Sequence, residues 1–399
     1  MTVLVFNDRF SPNVGDGLLA ACLEHELRGQ LAGESVHTID VDGKVDFPAP
    51  HEPAVPAASP RQIVSSALPE PLRSEVSALG VGRRLRRITG PVAEARAYVI
   101  GGGHLINGSG LYFPLRLRTL ARLARTRGAS LFVHSVGVTD PGRWRPSAAR
   151  WLREAFDGNP DLRFVSVRDP LSARYWAQAF PNSPAPEVCP DPGLLTRKAF
   201  GASRSGEDAH VGVGVIADHT ATALATGPEA VRPTPRFYLE LCRALVRRGR
   251  RPCLFTNGDP EDHEALGHIL AQAQQDTTLR GQVEHAPRPT DERRLVATIG
   301  RFGGLVAHRM HATIAAYSLG IPAVGLAWDR KLESFFRSVK RERYFIADPR
   351  ISPQSVAERV DEACRSGIPE EDRRRAVAAA EEGVSLLADR LRAAELAPA

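Results

Sequence analysis

Short apolar runs alternate with amphipathic, helix-like stretches along most of this 399-residue chain, and that alternation constrains the fold more than any other feature. Strands buried on both faces read as continuous apolar runs, and parallel pairing needs a crossover, which a helix supplies. Apolar runs at residues 3–6, 97–100, 130–136 and 163–167 are interleaved with helical patterns over 17–31, 111–127 and 170–180. Beyond a small, polar tract at 198–208 the pattern resumes, with strands at 211–216, 252–256, around 283 and at 323–327. Helical patterns there cover 236–248, 260–275 and 291–299. The expected fold is α/β, with two Rossmann-like open-sheet domains facing a cleft. The N-terminal domain is expected over residues 1–200, the C-terminal domain over 207–370 and a helical tail over 371–399. A Pro/Ala-rich stretch at 48–60 reads as a loop or insertion.

Composition narrows the function class. With 43% hydrophobic and 25% charged residues the chain reads as a globular protein in solution. Its five cysteines form no C-x-x-C pair, so they read as reduced packing residues and not as a zinc or disulfide framework. No basic region or small-residue cleavage site marks the start, so no signal peptide is expected. The most apolar long stretch, 304–328, is broken by His308, Arg309, His311 and Pro322, so no membrane span is expected and the protein is assigned to the cytoplasm. The net charge of +6 gathers in Arg83-Arg84-Leu85-Arg86-Arg87 and Arg247-Arg248-Gly249-Arg250-Arg251. Few aromatics accompany these runs, so nucleic acid is not expected. The second run reads as a helix end, and the first could approach anionic lipid headgroups or a phosphorylated lipid-linked acceptor.

The segment Ala307-His308-Arg309-Met310-His311 precedes a short helix that ends at Gly320 and feeds an apolar strand. Exposed N–H groups and the positive end of a helix dipole attract anions, and Arg309 can clamp a carboxylate or phosphate. His308 and His311 both stand where proton transfer would be useful, and spacing alone does not say which faces a cleft. The pair lacks a nearby carboxylate for a metal, so no metal is expected. Lys331 and Arg168 are further candidate anion clamps. Gly15 suits a tight turn after the first strand, and Asp16 can cap the next helix or meet a sugar hydroxyl. Gly101 to Gly103 allow close backbone approach but carry neither a P-loop nor a dinucleotide fingerprint, so neither ATP nor NAD is expected. Asp169 caps a helix starting at Pro170, Asp191 turns the chain before Pro192 or orients a catalytic group, and His134 is a buried, hydrogen-bonded histidine or a polar contact for the acceptor.

Several motifs stand in a fixed order: Asn13-Val14-Gly15-Asp16, Gly101-Gly102-Gly103-His104, Ser135-Val136-Gly137, Val167-Arg168-Asp169-Pro170, Asp191-Pro192-Gly193-Leu194, Arg309-Met310-His311 and Gly320-Ile321-Pro322 followed by Trp328-Asp329-Arg330-Lys331. In that order they resemble the polysaccharide pyruvyl transferase family, from about Asn13 to about Phe336. The resemblance implies a fold similar to the glycosyltransferase B architecture. It also implies transfer of pyruvate from phosphoenolpyruvate to sugar hydroxyls, with a pyruvate ketal and phosphate as products. Phosphoenolpyruvate would be a co-substrate, no cofactor is expected, and the acceptor would be a sugar, glycan or lipid-linked saccharide. Arg309, Lys331 and Arg168 would hold the donor. His311 would transfer protons or stabilise phosphate, together with Arg309 and Asp16, and His308 could replace it. Asn13, Gly15, Gly102, Gly103 and His104 would line the acceptor wall. Several members carry a glutamine or a more polar stretch where this chain has Phe132-Val133-His134, which leaves the acceptor open. The competing expectation is a nucleotide-sugar glycosyltransferase, with Arg309 and Lys331 on a diphosphate and Glu333 on a ribose. The oligomeric state is not legible.

Overall fold

A computed structural model describes residues 1–48, 70–92, 94–218, 231–327 and 330–396. The Pro/Ala-rich expectation over 49–60 and the Trp328-Asp329 pair lie outside these residues.

Six parallel strands form the first sheet: β1 (Thr2–Asn7), β2 (Ser35–Asp40), β3 (Ala97–Gly101), β4 (Ser130–Val136), β5 (Leu162–Val167) and β6 (Glu187–Val188), in the order β2-β1-β3-β4-β5-β6. Six more form the second: β7 (His210–Gly214), β8 (Arg251–Phe255), β9 (Glu284–His285), β10 (Gly304–Ala307), β11 (Ala323–Leu326) and β12 (Phe345–Ile346), in the order β12-β11-β10-β7-β8-β9. Each sheet is covered on both faces. In β1, Val3 and Val5 enter one apolar cluster while Leu4 and Phe6 enter another, which is why this strand is apolar at consecutive positions.

The helices are α1 (Val14–Gln30), α2 (Glu70–Ile88), α3 (Tyr112–Thr126), α4 (Pro146–Phe156), α5 (Pro170–Ala179), α6 (Thr196–Phe200), α7 (Pro235–Arg247), α8 (Pro260–Gln275), α9 (Glu292–Gly300), α10 (Met310–Ser318), α11 (Arg330–Ser338), α12 (Pro353–Ser366) and α13 (Glu370–Leu396). Many start as capping chemistry dictates. Asp169, Thr234, Asp259 and Ser352 each accept a backbone N–H of the first turn, with proline just inside the helix.

All nine residues of α10 are buried. Its Ala312, Ala315 and Ala316 allow a close approach to α1 and to the 3-10 turn Pro192–Leu195 of the first half. Ser318 clamps that contact, donating to Leu194 O at 2.7 Å and accepting from Arg197 N at 3.0 Å.

Helix α13 leaves the second half and crosses to the first, where it packs on α1 and on the same turn. Val384, Leu387, Ala388 and Leu391 are fully buried there. Lys198 ties it down through Glu26 and Glu381, each at 2.7 Å, and Arg392 donates to Gln30 O.

Parts of both basic runs are paired. Residues 83–87 end α2, where Leu85 is buried and Arg84 meets Asp42 at 2.8 Å. Arg248 and Arg250 share Asp361, and Arg251 meets Glu207 at 3.0 Å. Among the described residues no helix is long and apolar enough to cross a membrane.

Candidate active site

Strand order reverses between β1 and β3 in the first sheet and between β7 and β10 in the second. Loops leave in opposite directions at such points and open a crevice beyond the carboxyl ends of the strands. Here the two crevices face each other across one cavity of about 270 Å³. Asn7 and Asp8 enter it from β1, Gly101 to His104 from β3, Arg168 from β5, Asn257 from β8 and Arg309 from β10. Asn13, Asp16, Met310, His311 and Lys331 complete the polar wall. Members of the motifs at 13–16, 101–104, 167–170 and 309–311, with Lys331, thus converge on one space.

Helix α1 begins at Val14, three residues earlier than its pattern suggests, so Asp16 is not its cap. Asn13 occupies the cap position and donates instead to Asp16 Oδ2 at 3.3 Å. The Val14 N–H is satisfied from the other half, by Asn257 O at 2.8 Å. Asp16 Oδ1 stands 3.4 Å from His311 Nδ1. Gly15 does not form the expected turn. It lies in the first helical turn, and a Cβ there would come within 2.8 Å of His311 Cβ and 3.0 Å of His311 Nδ1. Gly15→Ala is therefore expected to displace His311 and lower kcat about 100-fold, on the scale of a 1 Å misplacement of a reacting group. Steady-state rates at wild-type level would show that this close approach is not needed.

Arg309 precedes α10, and its guanidinium is fixed along one edge by Asp262, with Nε and Nη2 at 3.0 and 2.5 Å from Oδ2. Asp262 is fully buried and also accepts Ala217 N at 2.9 Å. Arg168 faces His104 Nδ1 at 3.1 Å and lies 3.6 Å from Asp191 Oδ2, so Asp191 braces this cation as well as capping its own turn through Gly193 N. Gly137 makes room for the pair, since a Cβ there would lie 2.3 Å from His104 Nδ1 and 2.7 Å from Arg168 Nη2. Just before it, Ser135 adopts a left-handed φ of 50° at an irregularity between β4 and β5. Its N–H donates to Ser166 Oγ and its hydroxyl to Pro190 O, both at 3.0 Å, which holds the bent strand end in place.

His308 is corrected as a catalytic candidate. It is fully buried inside the second half, with Nδ1 3.4 Å from the Tyr238 hydroxyl and Nε2 3.2 Å from Val231 O. Burial pushes its imidazole down to about 4. Position 308 follows the strand and turns inward, whereas position 311 lies in the first turn of α10 and faces the cavity. His134 is likewise internal, 2.9 Å from Ser166 Oγ.

The charge pattern of the cavity is uneven. Burial, reinforced by Arg168, Lys331 and Arg309, pushes His311 down to about 3. Burial, Lys331 and Arg168 also hold His104 well below the usual imidazole range. Asp16 moves the other way, up to about 6, because burial outweighs the opposing pull of Ser11, Arg309 and Lys331. At neutral pH the cavity thus holds neutral imidazoles among cations. Both amide atoms of Asn7, Asn13 Oδ1, His104 Nε2 and Asn257 Nδ2 are buried with no hydrogen-bond partner among the described residues. Buried polar atoms in that state mark a surface shaped for a polar ligand. Asn7, Asp8, Asn257 and Asp262 were not expected from sequence; the first three share one legible signal, a polar residue at or just past the carboxyl end of a strand.

Two open parallel sheets with a polar cleft between their carboxyl ends make up a glycosyltransferase B-like architecture. The fold is similar to that of Methanocaldococcus jannaschii UDP-GlcNAc 2-epimerase, with 8% identity over 91% of each chain and a TM-score of 0.54. It is also similar to S. aureus MnaA in its UDP co-structure, with 8% identity over 96% of this chain and 91% of that one, and a TM-score of 0.52. At these identities the likeness concerns the fold alone. The family model for polysaccharide pyruvyl transferase matches residues 13–330, and the chain belongs to that family. No curated protein matches it.

Proposed function

We propose that the protein transfers pyruvate from phosphoenolpyruvate to hydroxyls of a saccharide acceptor, forming a ketal and releasing phosphate. Family membership supports pyruvyl transfer to a polysaccharide. The donor assignment rests on one observation above all: Arg168, Lys331 and Arg309 line one cavity together with the buried His311. A ligand carrying both a carboxylate and a phosphate offsets such a concentration of positive charge.

In this reading the three cations hold the carboxylate and phosphate of the donor. Burial is the main reason His311 is neutral, and the bound anion offsets the part that Arg168, Lys331 and Arg309 add, which favours a proton shared between Asp16 and His311. That pair delivers a proton to C3 of the enol and takes one from the first acceptor hydroxyl as its oxygen bonds to C2. The bond from C2 to the phosphate oxygen breaks, and the cations stabilise the departing charge. A second hydroxyl then bonds to C2 and closes the ketal. Asn13, Gly102, Gly103 and His104 face the acceptor, with Gly15 keeping α1 close to His311. No cofactor beyond the co-substrate takes part, and the reaction belongs in the cytoplasm, where phosphoenolpyruvate is made. The exposed Arg83, Arg86 and Arg87 suit a peripheral approach to anionic lipid if the acceptor is lipid-linked.

The nucleotide-sugar reading is weaker because Glu333, its ribose carboxylate, is not among the residues that line the cavity. Calorimetric titration separates the two. Saturable binding of phosphoenolpyruvate is expected, whereas binding of UDP- or GDP-sugars alone would overturn the proposal.

A further inference from the structure

Closing a ketal removes protons from two hydroxyls, and the Asp16 and His311 pair accounts for one of them. A second carboxylate, Asp8, lines the same cavity directly after β1. Its Oδ1 lies 3.8 Å from Lys44 Nζ and has no hydrogen-bond partner among the described residues. Asn7 beside it is 3% exposed, lines the cavity and has both amide atoms unpartnered among those residues. The turn that carries them is braced by Asp40, whose carboxylate accepts Phe10 N at 2.9 Å, Asp42 N at 2.9 Å and Lys44 N at 3.4 Å. A carboxylate on a rigid support can face a reacting group without first reorganising.

The surroundings suit a base. Burial lifts the Asp8 carboxyl to about 7, with Asp16 and Asp40 adding to the rise and Lys44 and Arg116 opposing it. Asp16 lines the same cavity, so the two carboxylates face one space. Phe113 lines the cavity nearby and offers an apolar face to a sugar ring.

Resting on the pyruvyl-transfer reading, we propose that Asp8 accepts the proton of the second acceptor hydroxyl as that oxygen bonds to C2, while Asn7 orients the hydroxyl. Proton, bond and charge balance follow. The Asp16 and His311 pair gives one proton to C3 and regains one from the first hydroxyl, so it ends as it began. Phosphate leaves with the electrons of its bond to C2. The second hydroxyl oxygen supplies the pair that closes the ring, and its proton passes from Asp8 to the departing phosphate or to water. The site is thereby built for acceptors that present two neighbouring hydroxyls.

The test compares phosphate release with ketal yield, the latter by the methyl and quaternary carbon signals in NMR spectra. Methyl galactopyranoside, glucopyranoside and mannopyranoside serve as acceptor probes. In wild type the two quantities should match. In Asp8→Asn, ketal formed per phosphate released should fall about 100-fold, within the range for loss of a general base, and Asp8→Glu should recover part of it. A structural role would lower both quantities together and leave their ratio unchanged, which would overturn the assignment. Failure of wild type to release phosphate with any probe, or to bind phosphoenolpyruvate, would overturn the donor chemistry and this assignment with it.

Discussion

Arg309→Ala is expected to weaken phosphoenolpyruvate binding by about 10- to 100-fold and also to lower the melting temperature by roughly five degrees. The affinity loss corresponds to the ~1.5–3 kcal/mol typical of hydrogen bonds to a charged group. The stability loss has a different source. Asp262 is fully buried, and Arg309 is the cation on its Oδ2. Removing one partner of a buried ion pair costs about 3–5 kcal/mol, because the other charge is stranded. Pairing Arg309→Ala with Asp262→Asn should restore much of the stability without restoring the affinity. If the double variant binds the donor as wild type does, Arg309 serves the fold and not the ligand.

His311→Ala should reduce kcat by about 100- to 10,000-fold, the span associated with loss of a general acid or base, and change donor affinity far less. Equal losses in both would mean that the imidazole only binds the anion. The Asp16 beside it supplies a pH signature. Its folded value of about 6 lies above the ordinary carboxyl value, so it is protonated below pH 6 and ionised above it. Because the pair must start with one proton, which the free enzyme holds on Asp16 below about 6, kcat/KM is expected to fall as pH rises through about 6. Asp16→Asn should abolish that fall along with most of the activity.

The parts of this molecule that could be read from sequence are those whose causes are local. β1 and β4 are buried on both faces, so their apolar runs stand out. β2 (Ser-Val-His-Thr-Ile-Asp) lies at a sheet edge with alternate residues exposed, and its polar composition hid it. The start of α1 was misplaced because no side chain caps it; the carbonyl that serves Val14 comes from Asn257, on the other half. Glycines at 102 and 103 declared themselves by type, and both have φ near 75°. The choice between His308 and His311 depended on the turn from β10 into α10. The partnership of Asp262 with Arg309 spans 47 residues and leaves no trace in either local segment.

Helix α13 has a consequence for the order in which the molecule can be made. It covers α1 and the turn at Pro192–Leu195, so the first half contains two stretches of chain separated by the entire second sheet. A nascent chain that has delivered every strand of the first sheet still lacks Val384, Leu387 and Leu391, which seal its apolar surface. The apolar face of the first half is therefore completed only after the second half has been synthesised and the C-terminal helix has docked.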